Sequence, residues 1–200
     1  MQKIPLSFYQ QEDVLALSQQ LLGKYLFTYF DHVLTGGMIV ETEAYRAPED
    51  RASHAYGMRR TQRNAVMYQA GGVCYVYMCY GLHALFNIVT NREEVPHAIL
   101  VRALVPTVGL EVMLKRRIKR FVEYSLTAGP GALAQALGIS KQHNGLLLTG
   151  SPIWLEDDGH FVLKEEIIAS PRVGIAYAGE DALLPWRFRL KNTPWTSRAK

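Results

Sequence analysis

The chain has 200 residues, long enough to bury roughly 70% of the surface it exposes when unfolded, so its core needs no disulfide or metal staple. Hydrophobic residues make up 48% and charged residues 20%, and no long uncharged apolar run is present, which excludes a transmembrane helix. Twenty-two basic against eighteen acidic residues give a formal charge of +4, a mild lean toward polyanionic partners that a small surplus of arginine explains equally well. The start, Met1-Gln2-Lys3-Ile4-Pro5, lacks the apolar stretch of a secretory signal, so the expectation is a protein that is not secreted.

The elements read in chain order as follows. Val14, Leu17 and Leu21, with Leu15 and Leu22, recur at helical spacing over residues 12–22, and Gly23 stops the helix. Tyr25–Phe30 and Met38–Glu43 read as strands, with a turn at Thr35-Gly36-Gly37. Residues 46–66 read as a long loop. Gly71-Gly72 opens a strand over residues 73–80, Gly81 breaks it, and Leu82–Thr90 returns, which predicts a β-hairpin with Tyr80-Gly81 at its tip. His97–Leu104 is a further strand, apolar except for Arg102. Leu110, Leu114, Ile118 and Phe121 predict an apolar helical stripe opposite the basic cluster Lys115, Arg116, Arg117, Lys119 and Arg120. Pro130 to Leu137 reads as a short helix stopped by Gly138. Residues 146–197 show strands and loops with few helical signals. Hairpins outnumber βαβ units, so the fold class is mixed α/β (α+β): one domain over residues 1–200, with a mainly antiparallel sheet flanked by helices and a protruding β-hairpin.

Cys74 and Cys79 lie five positions apart on one strand, point to opposite faces and cannot pair with each other. Two free thiols suit a reducing compartment. The six histidines show no metal-ligand spacing, so no metal is expected.

Within Ile39-Val40-Glu41-Thr42-Glu43-Ala44-Tyr45, Glu41 and Glu43 share one strand face, about 6.7 Å apart by strand rise. Such a carboxylate pair fits hydrolysis of a glycosidic bond; by spacing alone, a solvated strand face is the plainer reading. Six of the eleven tyrosines fall between residues 45 and 80, and tyrosine suits stacking on a base. Tyr75 reads as core, whereas Tyr80 at a hairpin tip has little core to fill. Arg46, Arg51, Arg59, Arg60 and Arg63 crowd the same region, suited either to phosphate contacts or to a solvated loop. No lysine occurs from residue 25 to residue 114, which leaves no central amine for Schiff-base chemistry. Arg102, in an apolar strand, requires a partner such as Glu43. The basic helix can be a DNA contact or a solvated face, and Gly129-Pro130-Gly131 can hold a phosphate or simply start a helix.

Together these segments resemble the alkyladenine (3-methyladenine) DNA glycosylase family. The likeness is carried by Val40-Glu41-Thr42-Glu43-Ala44-Tyr45, Ala52-Ser53-His54, Thr61-Gln62-Arg63-Asn64, Tyr75-Val76-Tyr77-Met78-Cys79-Tyr80-Gly81 and Leu100-Val101-Arg102-Ala103-Leu104. It continues through Gly129-Pro130-Gly131-Ala132-Leu133, Ala136-Leu137-Gly138-Ile139, Arg172-Val173-Gly174, Ala178-Gly179-Glu180 and Pro194-Trp195. The order is kept from about residue 6 to residue 197. Departures are Ala132 where many members have Lys, Gly71-Gly72 where Pro-Gly is common, Val105 for a frequent Glu, and Leu147 for a usual Asp.

The resemblance implies a monofunctional DNA glycosylase of base excision repair. Such an enzyme flips alkylated or deaminated purines out of duplex DNA and hydrolyses the N-glycosidic bond, with no cofactor and no lyase activity. Its implied partner is double-stranded DNA carrying damaged purines, bound by a monomer with no membrane, in the cytoplasm or wherever the DNA is. Glu43 would activate water, held with the help of the Arg102 side chain and the Val173 carbonyl. Tyr45, His54 and Tyr77 would enclose the base, Asn87 would face the purine's minor-groove edge, and Tyr80 would fill the gap in the duplex. On this assignment Glu41→Gln is expected to be mild. Two alternatives stand beside it: a nucleic-acid-binding module without catalysis, which turnover would eliminate, and a hydrolase of free nucleosides, which duplex dependence would eliminate.

Overall fold

The computed structural model describes residues 1–197. The elements are β1 (Gln2–Lys3), α1 (Leu6–Tyr9), α2 (Val14–Gln20), β2 (Tyr25–Phe30), β3 (Val33–Arg46), β4 (Cys74–Cys79), β5 (His83–Thr90) and β6 (His97–Val108). They continue with α3 (Leu110–Arg116), α4 (Pro130–Leu137), β7 (Thr149–Gly150), β8 (Ile153–Asp157), β9 (Ile167–Ser170) and β10 (Arg187–Leu190). The strands join one antiparallel sheet in the order β1-β8-β2-β3-β6-β5-β4, with β10 pairing β3 and β9. No helix among the described residues is long and apolar enough to cross a membrane.

β3 is the spine. Along one edge its first half pairs with β2 and Glu41–Glu43 pair with β10; the other edge pairs with β6 throughout. Its pairing with β6 shifts register between Ile39 and Glu41 and again between Glu41 and Thr42. Alternation along the strands sorts the side chains onto two faces. Cys74, Val76, Phe86, Ile88, Ile99 and Val101 join the main core together with α2 and α4 residues such as Leu17 and Leu133. Val73, Tyr75, Val89 and Ala98 join a smaller cluster beneath the segment that links β3 to β4.

The three expected helices form, α2 and α3 with shorter spans and α4 as read, and the short α1 was not expected. Asp13 caps α2 by accepting from the Leu15 and Ala16 N–H groups, and Gly23, at φ +83°, ends the turn that follows. α4 begins at Pro130 and ends on Gly138, as its sequence predicts.

Two expectations are corrected. The β2–β3 turn lies at Asp31-His32, both with positive φ, and Gly36 and Gly37 sit inside β3. They are glycines because neighbouring strands crowd them: a Cβ on Gly37 would lie 2.2 Å from the Val105 carbonyl oxygen. The apolar stripe on α3 also fails beyond Leu114. The helix ends at Arg116, and Ile118 and Phe121 are 92% and 79% exposed. Nor is the basic cluster a plain solvated face. Arg116 donates to the Ala136 carbonyl at 3.1 Å, and Arg117 donates to Gln135 Oε1 at 2.6 Å, tying α3 to α4.

Gly37→Ala should destabilise the protein by at least the roughly 1–3 kcal/mol typical of overpacking, read as a lower urea midpoint with an unchanged slope.

Candidate active site

The face of β4, β5 and β6 turned away from the helices forms the floor of a cleft of about 780 Å³. Tyr75 and Tyr77 of β4, Asn87 of β5 and Leu100 and Arg102 of β6 alternate along its floor. Its walls come from His54 and Arg63 in the β3–β4 segment, Gly129–Ala132 at the start of α4, and Val173–Ile175. Tyr45, His54, Tyr77, Tyr80, Asn87, Arg102 and Val173 all line it, so the fold gathers these sequence-predicted residues in one place.

Glu43 is fully buried behind this lining. Its Oε1 accepts from the Val173 N–H at 2.8 Å and faces Arg102 Nη1 at 3.2 Å, and its Oε2 accepts from the Tyr45 hydroxyl at 2.9 Å. Val173 therefore meets Glu43 through its amide. Its loop is clamped by Arg172, whose Nη1 and Nη2 hold the two oxygens of buried Asp50 at 2.5 and 2.8 Å and whose Nη1 also donates to the Ala44 carbonyl at 2.8 Å. The Arg172 guanidinium lies 4.8 Å from the Tyr45 ring centroid.

Glu41 is the second carboxylate of the pair, and it is not on a solvated face: like Glu43 it is 0% exposed. Its Oε1 accepts from Arg102 Nε, Arg187 Nε and Ser197 Oγ, each at 2.7 Å, and its Oε2 accepts from the Ser197 N–H. Burial pushes this carboxyl up, but Arg102, Arg187 and Ser197 outweigh burial and hold it below the usual carboxylate range. The two glutamates act on Arg102 likewise: burial favours its neutral form, and Glu43 and Glu41 more than offset this.

His54 and Tyr77 meet edge to face at 4.6 Å between centroids, and Tyr75 and Tyr77 lie 5.3 Å apart on one strand face. Tyr75 is core, as expected, yet its hydroxyl reaches His54 Nδ1 at 2.9 Å. Burial and the Arg63 charge push His54 down to about 4, so its imidazole is neutral at pH 7. Arg63 also covers the Tyr77 ring at 5.0 Å. Asn87 is buried, and its Nδ2 donates to the Tyr75 and Leu85 carbonyls at 3.1 and 3.3 Å. Tyr80 is 90% exposed at the tip of the β4–β5 hairpin. It adopts φ +51° beside Gly81 at +69°, and the Leu82 N–H closes the turn on the Cys79 carbonyl. Both cysteines are free.

The sequence matches the methylpurine-DNA glycosylase (MPG) family over residues 7–194. The chain belongs to that family. A protein of Chlamydia felis (strain Fe/C-56) is 46% identical, covering 94% of this chain and 95% of its own. One of Bacillus cereus (strain G9842) is 41% identical, covering 97% and 98%. One of Bacillus cytotoxicus is 39% identical, covering 98% and 100%. Each bears the name "Putative 3-methyladenine DNA glycosylase".

In this glycosylase-family chain, sequence reasoning missed the supporting groups Asp50, Arg172, Arg187 and Ser197. Arg187-Phe188-Arg189-Leu190 alternates like a half-solvated strand, so nothing local marks Arg187 as the largest fully buried side chain. Arg172 belongs to the segment Arg172-Val173-Gly174 that carries the resemblance, which is the one signal available for it, but the resemblance assigns it no role.

Two tests follow from these environments. Glu41→Gln should not be mild: it removes the charge that compensates buried Arg187 and should cost about 3–5 kcal/mol, visible as a lower denaturation midpoint. His54 should show no imidazole titration by NMR between pH 5 and 8. Its folded-state pKa lies below the unfolded value of 6.5, so the stability it contributes is present above pH 6.5 and is lost as pH falls toward 4.

Proposed function

We propose that this protein is a monofunctional DNA-3-methyladenine glycosylase, active as a monomer on double-stranded DNA. In this reading it extrudes a damaged purine and hydrolyses the N-glycosidic bond, and the one domain over residues 1–200 holds the whole site. The observation that carries this reading is Glu43. A buried carboxylate faces a guanidinium and is oriented by two further donors at the back of an aromatic cleft, in a chain of the methylpurine-DNA glycosylase family.

Chemistry on a paired base requires taking it out of the stack, at a cost of a few kcal/mol. Tyr80, exposed at a hairpin tip, is the group to fill the vacated space and offset that cost. The extruded base then sits among Tyr45, His54 and Tyr77. Tyr45 and Tyr77 each already hold a guanidinium against the ring, and a cationic alkylpurine suits the same electron-rich faces. Neutral His54 adds no repelling charge. Asn87, fixed by two backbone carbonyls, limits room at the purine's minor-groove edge.

In the chemical step, water attacks C1′ of the deoxyribose. Its proton passes to Glu43, aided by Arg102 and the Val173 carbonyl in positioning the water. The C1′–N bond breaks, and its electron pair leaves with the purine. The Glu43 charge opposes the oxocarbenium character that develops at the sugar. Glu41 cannot serve as a general acid, because it is held ionised and its oxygens are taken. That favours bases whose alkylation already makes them good leaving groups. No lysine lines the cleft among the described residues, which favours hydrolysis over a Schiff-base route.

Glu43→Gln should reduce single-turnover base release from lesion-bearing duplexes by 10²–10⁴-fold or more while lesion binding persists. Near-normal release by the folded variant would refute the mechanism. Tyr80→Ala should weaken retention of lesion duplex and shift the extrusion equilibrium, followed with a fluorescent base, and should affect the chemical step less.

A further inference from the structure

Arg102 lines the cleft, whereas the groups that hold it from behind do not: Glu41, Arg187 and Ser197 are 0%, 1% and 7% exposed. Its three guanidinium nitrogens go to three different partners. Nε donates to Glu41 at 2.7 Å, Nη2 donates to Ser197 Oγ at 3.1 Å, and Nη1 faces Glu43 at 3.2 Å. Arg187 in turn donates from Nη2 to the Ser197 carbonyl at 2.8 Å. The guanidinium is thus divided unequally, with the shorter contact given to Glu41 and the longer to Glu43.

An arginine and a carboxylate left to themselves prefer a bidentate, fork-to-fork pair. In that arrangement Arg102 would take a lone pair on each Glu43 oxygen, including the one on Oε2 that the Tyr45 hydroxyl leaves open. Two groups prevent it. Glu41 engages Nε, and the Ser197 hydroxyl engages Nη2 while donating to the same Glu41 oxygen. Ser197 carries no charge, so its hydroxyl can be removed without leaving a buried ion unpaired. It is therefore the member of this network that can be changed without removing a charge, although its hydroxyl also meets Glu41 and Arg187.

We propose that Ser197, acting through Glu41 and Arg102, is a positioning residue for the reaction: it holds the guanidinium back so that Glu43 meets a single nitrogen and keeps a lone pair free for water. The inference rests on the glycosylase reading, with Glu43 as the base.

The test is a double-mutant cycle on base release from a duplex bearing 3-methyladenine or hypoxanthine, with affinity and thermal unfolding measured in parallel. Ser197→Ala should slow single-turnover release roughly tenfold, the effect of one lost hydrogen bond to a charged group, with lesion affinity within about twofold of wild type. Ser197→Thr, which keeps the hydroxyl, should restore the rate. In an Arg102→Lys background, where no guanidinium fork remains to restrain, Ser197→Ala should cost nothing further. A wild-type rate in Ser197→Ala, an equally slow Ser197→Thr, multiplicative losses in the double variant, or affinity falling in step with rate would each overturn the proposal. Absence of base release by the unmodified protein would instead refute the glycosylase reading beneath it.

Discussion

One guanidinium shared by two buried carboxylates organises this molecule. Arg102 bonds Glu41 and Glu43 at once, and Arg187 supplies the second positive charge, so two anions and two cations lie together with almost no access to water. Burial of such a group gives little net stability, but removing any one member leaves a buried charge unpaired. The quartet draws in β3, β6 and β10, together with the chain at Ser197. The strands that build the sheet are thereby the strands that fix the site.

The sheet separates two jobs by face. The helices cover one side with aliphatic residues, which form the main core. The other side carries aromatic and polar residues at alternate positions on the same strands. A second ion pair, Asp50 with Arg172, does for the Val173 loop what the quartet does for the strands. Rigid strands supply the carboxylate and the floor, and a clamped loop supplies the amide that faces Glu43.

Much of this was legible in the sequence because it is local. A run of strand-forming residues over 73–90, opened by Gly71-Gly72 and broken by Gly81, is sufficient to write the β4–β5 hairpin. An apolar strand interrupted by Arg102 announces a buried charge in need of a partner. What stayed hidden depends on pairing across long distances. Arg187 and Glu41 are 146 positions apart, and Ser197 and Glu41 are 156 apart; no local pattern encodes either contact. For the same reason Glu41 reads as solvent-facing until β10 covers it. The α3 region misled in the opposite sense. Its periodicity is sound, but Ile118 takes φ +52°, outside the helical region, and the remainder of the stripe faces outward.

The double register shift around Glu41 has a bearing on chain length. Side chains in a strand change face with every residue added or removed. β3 is bonded along both edges, to β2 and β10 on one and to β6 on the other. A residue added or removed in β3 ahead of Glu41 turns Glu41, Glu43 and Tyr45 toward the aliphatic layer unless a further bulge takes it up. The 27 residues between Arg46 and Cys74 carry no such restriction from the ladder. The ladder therefore fixes the residue count of β3, whereas that connection is held by side-chain contacts such as Asp50 with Arg172 and His54 with Tyr75.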